Sequence, residues 1–295
     1  MYDINEIYSA TSVEDAIEHL VANKDSIIIA GGSDILIKIH EGKLAGCSLV
    51  SIYSLDELRG ITIDEYGKIK IGPLTSFSHI SSNEIIKKYI PVLGEAVDQV
   101  GGPQIRNIGT IGGNISNGVT SADSASTLFA LNAELEITGQ SGIRIIPISE
   151  YYLGPGKVDL TNGEILTAIY ISKENYEDFN GCYIKYAMRN AMDIATLGCC
   201  VTCRLDCNKN KIEDVRIAYG VAGPVPMRCP NTEKAVIGID ISNEMLDEFS
   251  NMVLTEVKPR DSWRASKILR LQLAKELSKR ALKEAVIKCG GEFNV

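Results

Sequence analysis

The chain has no surplus of basic residues. Its 30 Lys and Arg stand against 38 Asp and Glu, a formal net charge of -8 over 295 residues. Such a chain has little with which to displace counterions from phosphates, which argues against nucleic acid and anionic membranes as partners. The local exception is a basic cluster of Lys258, Arg260, Arg264, Lys267 and Arg270. No apolar run approaches the roughly 18 residues that span a bilayer. The opening Met1-Tyr2-Asp3-Ile4-Asn5-Glu6 lacks the basic, apolar, small-residue order of a secretion signal, so a cytoplasmic protein is expected. There is no GxGxxG, which argues against a Rossmann site, and no lysine where a P-loop needs one. Neither an internal repeat nor a low-complexity tract is visible.

Eight cysteines are present, and in a reducing compartment they are expected to be mostly free thiols. The crowding at Cys199-Cys200-x-x-Cys203-x-x-x-Cys207 invites a metal reading, but no second CxxC group accompanies it. A strand over Ala195 to Leu205 would send Cys199 and Cys203 to one face and Cys200 to the other. No metal is expected.

The length allows two or three domains, and a chain this long buries roughly three quarters of its unfolded surface. Ser12 caps a helix well, with Asp15 at its third position and Ala16, Ile17 and Leu20 on one stripe. Ile27 to Ala30 reads as a short buried strand, Gly31-Gly32 as a turn, and Ser33 or Asp34 as the cap of a helix through Ile35 and Ile39. Leu49 to Ile52 is another strand. From Ile61 a hairpin pattern appears, Ile61-x-Ile63 and Ile69-x-Ile71 about a turn at Glu65 to Gly67. Helices follow at Ser76 to Val97 and Ser124 to Asn132, with strands at Leu135 and at Glu164 to Ile171. Lys173 to Asn180 is polar and reads as the linker. Strands are then expected at Gly181–Tyr186, Ala195–Leu205 and Asp214–Val221, with helices at Asn231–Ile237, Asn243–Glu256 and Arg264–Lys288. The last would carry Ile268, Leu269, Leu271, Leu273, Leu277, Ala281 and Leu282 on one broad face.

Two glycine segments hold the chemistry. Ala30-Gly31-Gly32-Ser33-Asp34 follows an apolar strand, and Thr110-Ile111-Gly112-Gly113-Asn114 precedes Asp123. Glycine tolerates positive φ and holds nothing off, and successive backbone N–H groups in such turns make anion-binding concavities. Asp34 would repel a triphosphate, whereas a pyrophosphate held by neutral amides fits. Two such places point to a dinucleotide gripped from two sides. Local alternatives exist: Gly31-Gly32 as a plain strand-to-helix turn, and Asp123 as an ordinary acid at a helix start.

These segments, taken with others in order, resemble a family. Gln104 to Asn114, Ala122-Asp123, Gly154-Pro155-Gly156, Gly163-Glu164-Ile165-Leu166, Lys185-Tyr186-Ala187-Met188-Arg189 with Asp193-Ile194-Ala195, Gly220 to Pro226 with Arg228, and Trp263-Arg264-Ala265-Ser266 complete the pattern. Over nearly its whole length the chain resembles the FAD-binding (medium) subunit of the molybdenum hydroxylases, the family of xanthine dehydrogenase and carbon monoxide dehydrogenase.

The resemblance implies an α+β fold. A two-part FAD-binding domain of the PCMH/vanillyl-alcohol-oxidase type (1–172, subparts about 1–55 and 56–172) would precede a C-terminal domain of antiparallel sheet plus helices (180–288). It implies FAD as cofactor, held by Ile29, Ala30, Gly31, Gly32, Ser33, Asp34, Ile35, Gly101, Thr110, Gly113, Asn114, Ser116, Asp123, Ile165, Leu166 and Lys185. In that scheme the first loop carries the pyrophosphate, Asp123 holds the ribose–adenine end, and Lys185 approaches the isoalloxazine edge. The local alternative for Lys185 is a solvent-facing strand residue. No residue of this chain would be catalytic toward the hydroxylated substrate.

Partners follow from the same resemblance: a molybdopterin-binding large subunit and a small subunit with two [2Fe–2S] clusters, with NAD or another acceptor taking the electrons. The look is nearest to bacterial xanthine-oxidising members, so a purine is the expected substrate of the complex. Departures from the eukaryotic pattern are Val100-Gly101, where an aromatic–small pair stands there, and Met192, where an acid stands there. The acceptor is left open by them. The rivals are a stand-alone flavin reductase of the same fold superfamily and an assembly subunit without FAD.

Overall fold

The computed structural model describes residues 2–293. The chain begins with β1 (Ile4–Ser9), α1 (Val13–Ala22), β2 (Ile27–Ile29), α2 (Ile35–His40) and β3 (Cys47–Ser51). The three strands form a parallel sheet in the order β1-β3-β2. Ser12 caps α1 by accepting from the Asp15 amide at 3.1 Å, a contact worth about 1 kcal/mol. Val13, Ala16, Ile17 and Leu20 then point inward at helical spacing and pack on Val50 and Ile52. α2 forms as expected, but neither Ser33 nor Asp34 caps it with a side chain: Asp34 occupies the cap position with no such bond.

The second part contains β4 (Ile61–Ile63), β5 (Ile69–Ile71), α3 (Phe77–Ser82), α4 (Glu84–Tyr89), α5 (Pro91–Val97), α6 (Pro103–Ile108), α7 (Ile111–Ser116) and α8 (Asp123–Ala130). After these come β6 (Glu134–Gly139), β7 (Gly142–Pro147), α9 (Ile148–Tyr151), β8 (Tyr152–Gly154), β9 (Lys157–Val158) and β10 (Ile165–Ile171). The main sheet is antiparallel in the order β4-β5-β10-β6-β7. The last strand in sequence therefore lies in the middle, and its run Ile165-Leu166-Thr167-Ala168-Ile169-Tyr170-Ile171 is almost wholly buried. The β4–β5 turn is set by Asp64, whose carboxylate accepts from the Tyr66 and Lys68 amides, and by Gly67 at φ 82°. The helical stretch from Ser76 is three short helices. Asn83 caps the second through the Ile85 and Ile86 amides, and Pro91 opens the third.

The third part has β11 (Asn180–Tyr186), β12 (Leu197–Leu205), β13 (Ile212–Gly220), β14 (Met227–Arg228), α10 (Pro230–Val236), α11 (Asn243–Met252) and α12 (Lys267–Lys288). Its four strands run antiparallel in chain order. β12 separates two cores. Cys200 joins Tyr183 and Ala218 against the helices of the second part, while Cys199 and Cys203 face α11 and α12.

Lys173 to Asn180 joins the second part to the third as a packed segment: Asn175, Tyr176 and Phe179 are buried, and the Tyr176 hydroxyl donates to the Gly67 carbonyl. One expectation is corrected. In α12 the buried stripe is Arg270, Leu273, Ala274, Leu277, Ser278, Ala281, Leu282, Ala285 and Val286, while Ile268 is 80 % exposed and Leu269 is also exposed. The helix begins at Lys267, so its first apolar pair falls in the first turn, beyond the sheet it covers. No helix among the described residues is long and apolar enough to cross a membrane.

Candidate functional site

The two glycine turns touch. A β-carbon at Gly31 would lie 1.9 Å from the Ile108 carbonyl oxygen and 2.8 Å from its carbon, so the first loop can press on the second only without a side chain. Gly32 follows at φ 75°, the left-handed region that favours glycine. Among the described residues, the amides of Gly31, Gly32, Ser33 and Asp34 find no backbone acceptor. Four successive free N–H groups in one tight loop form a concavity suited to anionic oxygens.

The second turn divides its labour. Gly112 is a packing glycine: its amide donates to the Pro73 carbonyl at 2.8 Å, and a β-carbon there would meet Pro73 at 2.4 Å. Gly113 is open, with only the Thr110 hydroxyl near its missing side chain. Thr110 caps α7 by accepting from the Gly113 amide at 3.2 Å. Asn114 accepts from the Ser124 hydroxyl at 2.7 Å through its carbonyl oxygen, which leaves its two NH2 hydrogens available to donate.

Between these turns and the 160–166 segment lies a cavity of about 510 Å³. It runs along the seam of the first two parts: Ile165 belongs to the first core and Leu166 to the second. The register of β10 on β6 shifts between Leu166 and Ala168, a bulge that re-aims side chains at the cavity edge. The lining includes Ala30 to Ile35, Thr110, Gly113, Asn114, Ser116, Ile165 and Leu166. Ile29, Gly101, Asp123 and Lys185 do not line it.

Sequence reasoning missed two parts of this wall. Lys38 is the sole lysine or arginine of the lining among the described residues. Its ammonium donates to the Asn117 amide oxygen at 2.7 Å across 79 positions of sequence. The available signal was helical spacing, since Lys38 lies one turn beyond Asp34. The second part is Arg144, which donates to Glu164 at 2.8 and 2.9 Å and to Asp159 at 2.7 Å, fixing the 159–164 rim. Arg144 holds the Glu164 carboxyl down at about 2. A depressed folded-state value means stability that is complete above the ordinary value of 4.5 and lost as pH falls toward 2. Glu164→Gln should therefore destabilise the protein at neutral pH, and urea titrations should show a smaller acid loss for the variant than for the parent between about pH 5 and 3.

A second cavity, about 460 Å³, lies on the other side of Val100 to Arg106. Val100 faces the first cavity and Gly101 the second. The loop Ala187 to Asp193 forms its far wall, with Met192 at φ 53° packed near Gly102. Lys185 lines it too. Its ammonium donates to Asp123 at 2.8 Å and to the Gln99 carbonyl at 2.9 Å. The other Asp123 oxygen accepts from Tyr183 at 2.7 Å. Burial raises the Asp123 carboxyl, opposed by Lys185 and Tyr183. Asp123 and Lys185 form one buried pair, and Lys185 is not the solvent-facing strand residue of the local alternative. Nothing in the sequence announces this contact across 62 positions. Among the described residues no group of three or more His, Cys, Asp or Glu is placed to hold a metal.

Comparison with known proteins agrees with this architecture. Residues 2–173 match the family model described as FAD binding domain in molybdopterin dehydrogenase, and residues 182–285 match the CO dehydrogenase flavoprotein C-terminal domain. The chain is 41 % identical to the xanthine dehydrogenase FAD-binding subunit of Escherichia coli O157:H7, over 99 % of this chain and 100 % of that one. It is 30 % identical to the glyceraldehyde dehydrogenase medium chain of Sulfolobus acidocaldarius, over 93 % and 96 %. A solved carbon monoxide dehydrogenase of Hydrogenophaga pseudoflava superposes with a TM-score of 0.92 at 26 % identity, covering 98 % of this chain and 99 % of that one. The chain belongs to the family of FAD-binding flavoprotein subunits of the molybdenum hydroxylases.

Proposed function

We propose that this chain is the electron-exit subunit of a purine-oxidising molybdenum hydroxylase, taking electrons from the iron–sulfur clusters of a small subunit and passing them to NAD or another acceptor. The observation that carries the reading is that the first glycine turn presses on the approach to the second, at Ile108, with both lining one cavity of about 510 Å³. Purine as the substrate class rests on the 41 % identical relative, named a xanthine dehydrogenase subunit. The oxidised molecule itself would bind a molybdopterin-carrying large subunit, and the assembled complex would work in the cytoplasm.

FAD, when bound, accepts electrons singly and gives them up as a pair. The residues do the rest. The amides of Gly31 to Asp34 would meet the pyrophosphate, together with Thr110, Gly113 and Asn114. Lys38 would leave Asn117 to neutralise part of that charge. Ile165 and Leu166 would keep water from one face of the cofactor. Lys185, held by Asp123, would place a cation on the wall of the second cavity, where attraction to any electron-rich group strengthens in a partly dry site.

The test is direct. The purified complex should show flavin absorbance, carry molybdenum and iron–sulfur partners, and oxidise hypoxanthine or xanthine. Lys38→Met should weaken FAD binding about tenfold and flatten its salt dependence. Colourless protein, or a flavoprotein that never associates with partners, sinks the reading.

A further inference from the structure

Two cysteines meet in the C-terminal core. Cys203 lies on β12 and Cys289 directly follows α12, 86 positions later. Their sulfurs are 3.7 Å apart, and the Cys289 thiol donates to the Cys203 carbonyl at 3.1 Å. No other two cysteine sulfurs come within hydrogen-bonding reach among the described residues. Cys203 is fully buried, whereas Cys289 is 7 % exposed. One thiol of the pair therefore touches the edge of solvent and the other backs onto it.

The surroundings favour a nucleophile at Cys289. The Cys203 thiol donates to it, and Asn180, which pairs with Cys203 in the sheet, adds backbone and side-chain donors; Lys209 contributes its charge. Together they bring the Cys289 thiol down to about 7. The bond to Cys289, with burial, keeps the Cys203 thiol well above the ordinary range. The less deeply buried member is thus the more easily ionised, the order needed for attack on a small oxidant that reaches it.

We propose that Cys203 and Cys289 form a dithiol that hydrogen peroxide converts to an intramolecular disulfide, tying the end of α12 to the middle of the sheet. The Cys289 thiolate attacks one peroxide oxygen. An S–O bond forms, the O–O bond breaks, and hydroxide leaves with a proton as water. The Cys203 sulfur then attacks the sulfenic sulfur. An S–S bond forms, the S–O bond breaks, and a second water departs with the Cys203 proton. Two thiols are oxidised to one disulfide and one peroxide is reduced to two waters. A disulfide is about 2.05 Å long, so the sulfurs must approach by about 1.6 Å. Neither residue lines either of the two cavities described above, so oxidation would stiffen the body of the subunit and leave the cofactor wall intact.

The experiment supplies hydrogen peroxide to the full chain and therefore stands apart from the cofactor reading. Two of the eight thiols should disappear on titration with peroxide and return with dithiothreitol. A non-reducing tryptic map should link the peptide ending at Arg204 to the one beginning at Cys289, with fragmentation placing the bridge at Cys203. The oxidised form should unfold at a higher temperature than the reduced form. Cys203→Ser should instead accumulate a dimedone-reactive sulfenic acid at Cys289. Oxidation confined to the more accessible Cys207 and Cys47, or cross-links only between molecules, overturns the proposal, and the map of the parent protein decides this even if the variant fails to fold.

Discussion

Gly31→Ala is expected to leave less than about a tenth of the parental flavin per chain, a loss of at least 1.4 kcal/mol of binding. The reason is backbone contact. The new methyl group would sit 1.9 Å from the Ile108 carbonyl oxygen, which has no flexible side chain to move aside. The loop must lift off the second turn, and the cavity opens along its seam. Overpacking of this kind costs about 1–3 kcal/mol, so the unfolding midpoint should fall by roughly 3–10 °C. Gly113→Ala separates the two effects. Its β-carbon would approach only the Thr110 hydroxyl at 2.9 Å, so stability should change little while flavin is lost. Absorbance at the flavin band and thermal unfolding of both variants measure this. Equal flavin content in Gly31→Ala and parent refutes the two-turn cradle.

The second large effect concerns the buried pair. Lys185→Met removes the cation from Asp123 and leaves a carboxylate in a site where each group keeps only 7 % of its side chain exposed. Breaking such a pair costs about 3–5 kcal/mol. Asp123→Leu with Lys185→Met removes both charges and should recover much of the loss, because no uncompensated ion remains. A double-mutant cycle by urea unfolding should give a coupling of about 2 kcal/mol or more. Additive losses would mean that Lys185 contributes only packing. The pair also joins α8 to β11, so the single variants should expose the tryptic site at Arg189 in the 187–193 loop before the whole chain unfolds.

Much of this molecule was legible because its signals are local. Ser12 with Asp15, the hairpin about Gly67, and the alternation of Cys199, Cys200 and Cys203 all follow from periods of two to four residues. The glycine turns were legible as places of close approach, though sequence did not say which glycine packs and which opens. The structure divides them: all three line the cavity, but Gly31 and Gly112 are pressed against Ile108 and Pro73, whereas Gly113 has only the Thr110 hydroxyl near its missing side chain. The pairs Lys38–Asn117, Arg144–Glu164 and Lys185–Asp123 were not legible. Each depends on where two distant elements come to rest, and single charged residues carry no mark of their partner. Asp123 in particular reads the same in sequence whether or not a lysine faces it. In α12, composition overstated the apolar face because it could not show where the underlying sheet stops.

The third sheet has no wet face. Tyr183, Cys200 and Ala218 on one side complete a hydrophobic interior built by the preceding segment, and α12 seals the other. An excised C-terminal fragment would present that first side bare to water and would be expected to self-associate, and the N-terminal fragment would lack a lid for α5 and α8. The two matched regions share one hydrophobic interior, which any attempt to swap flavin modules between relatives must respect.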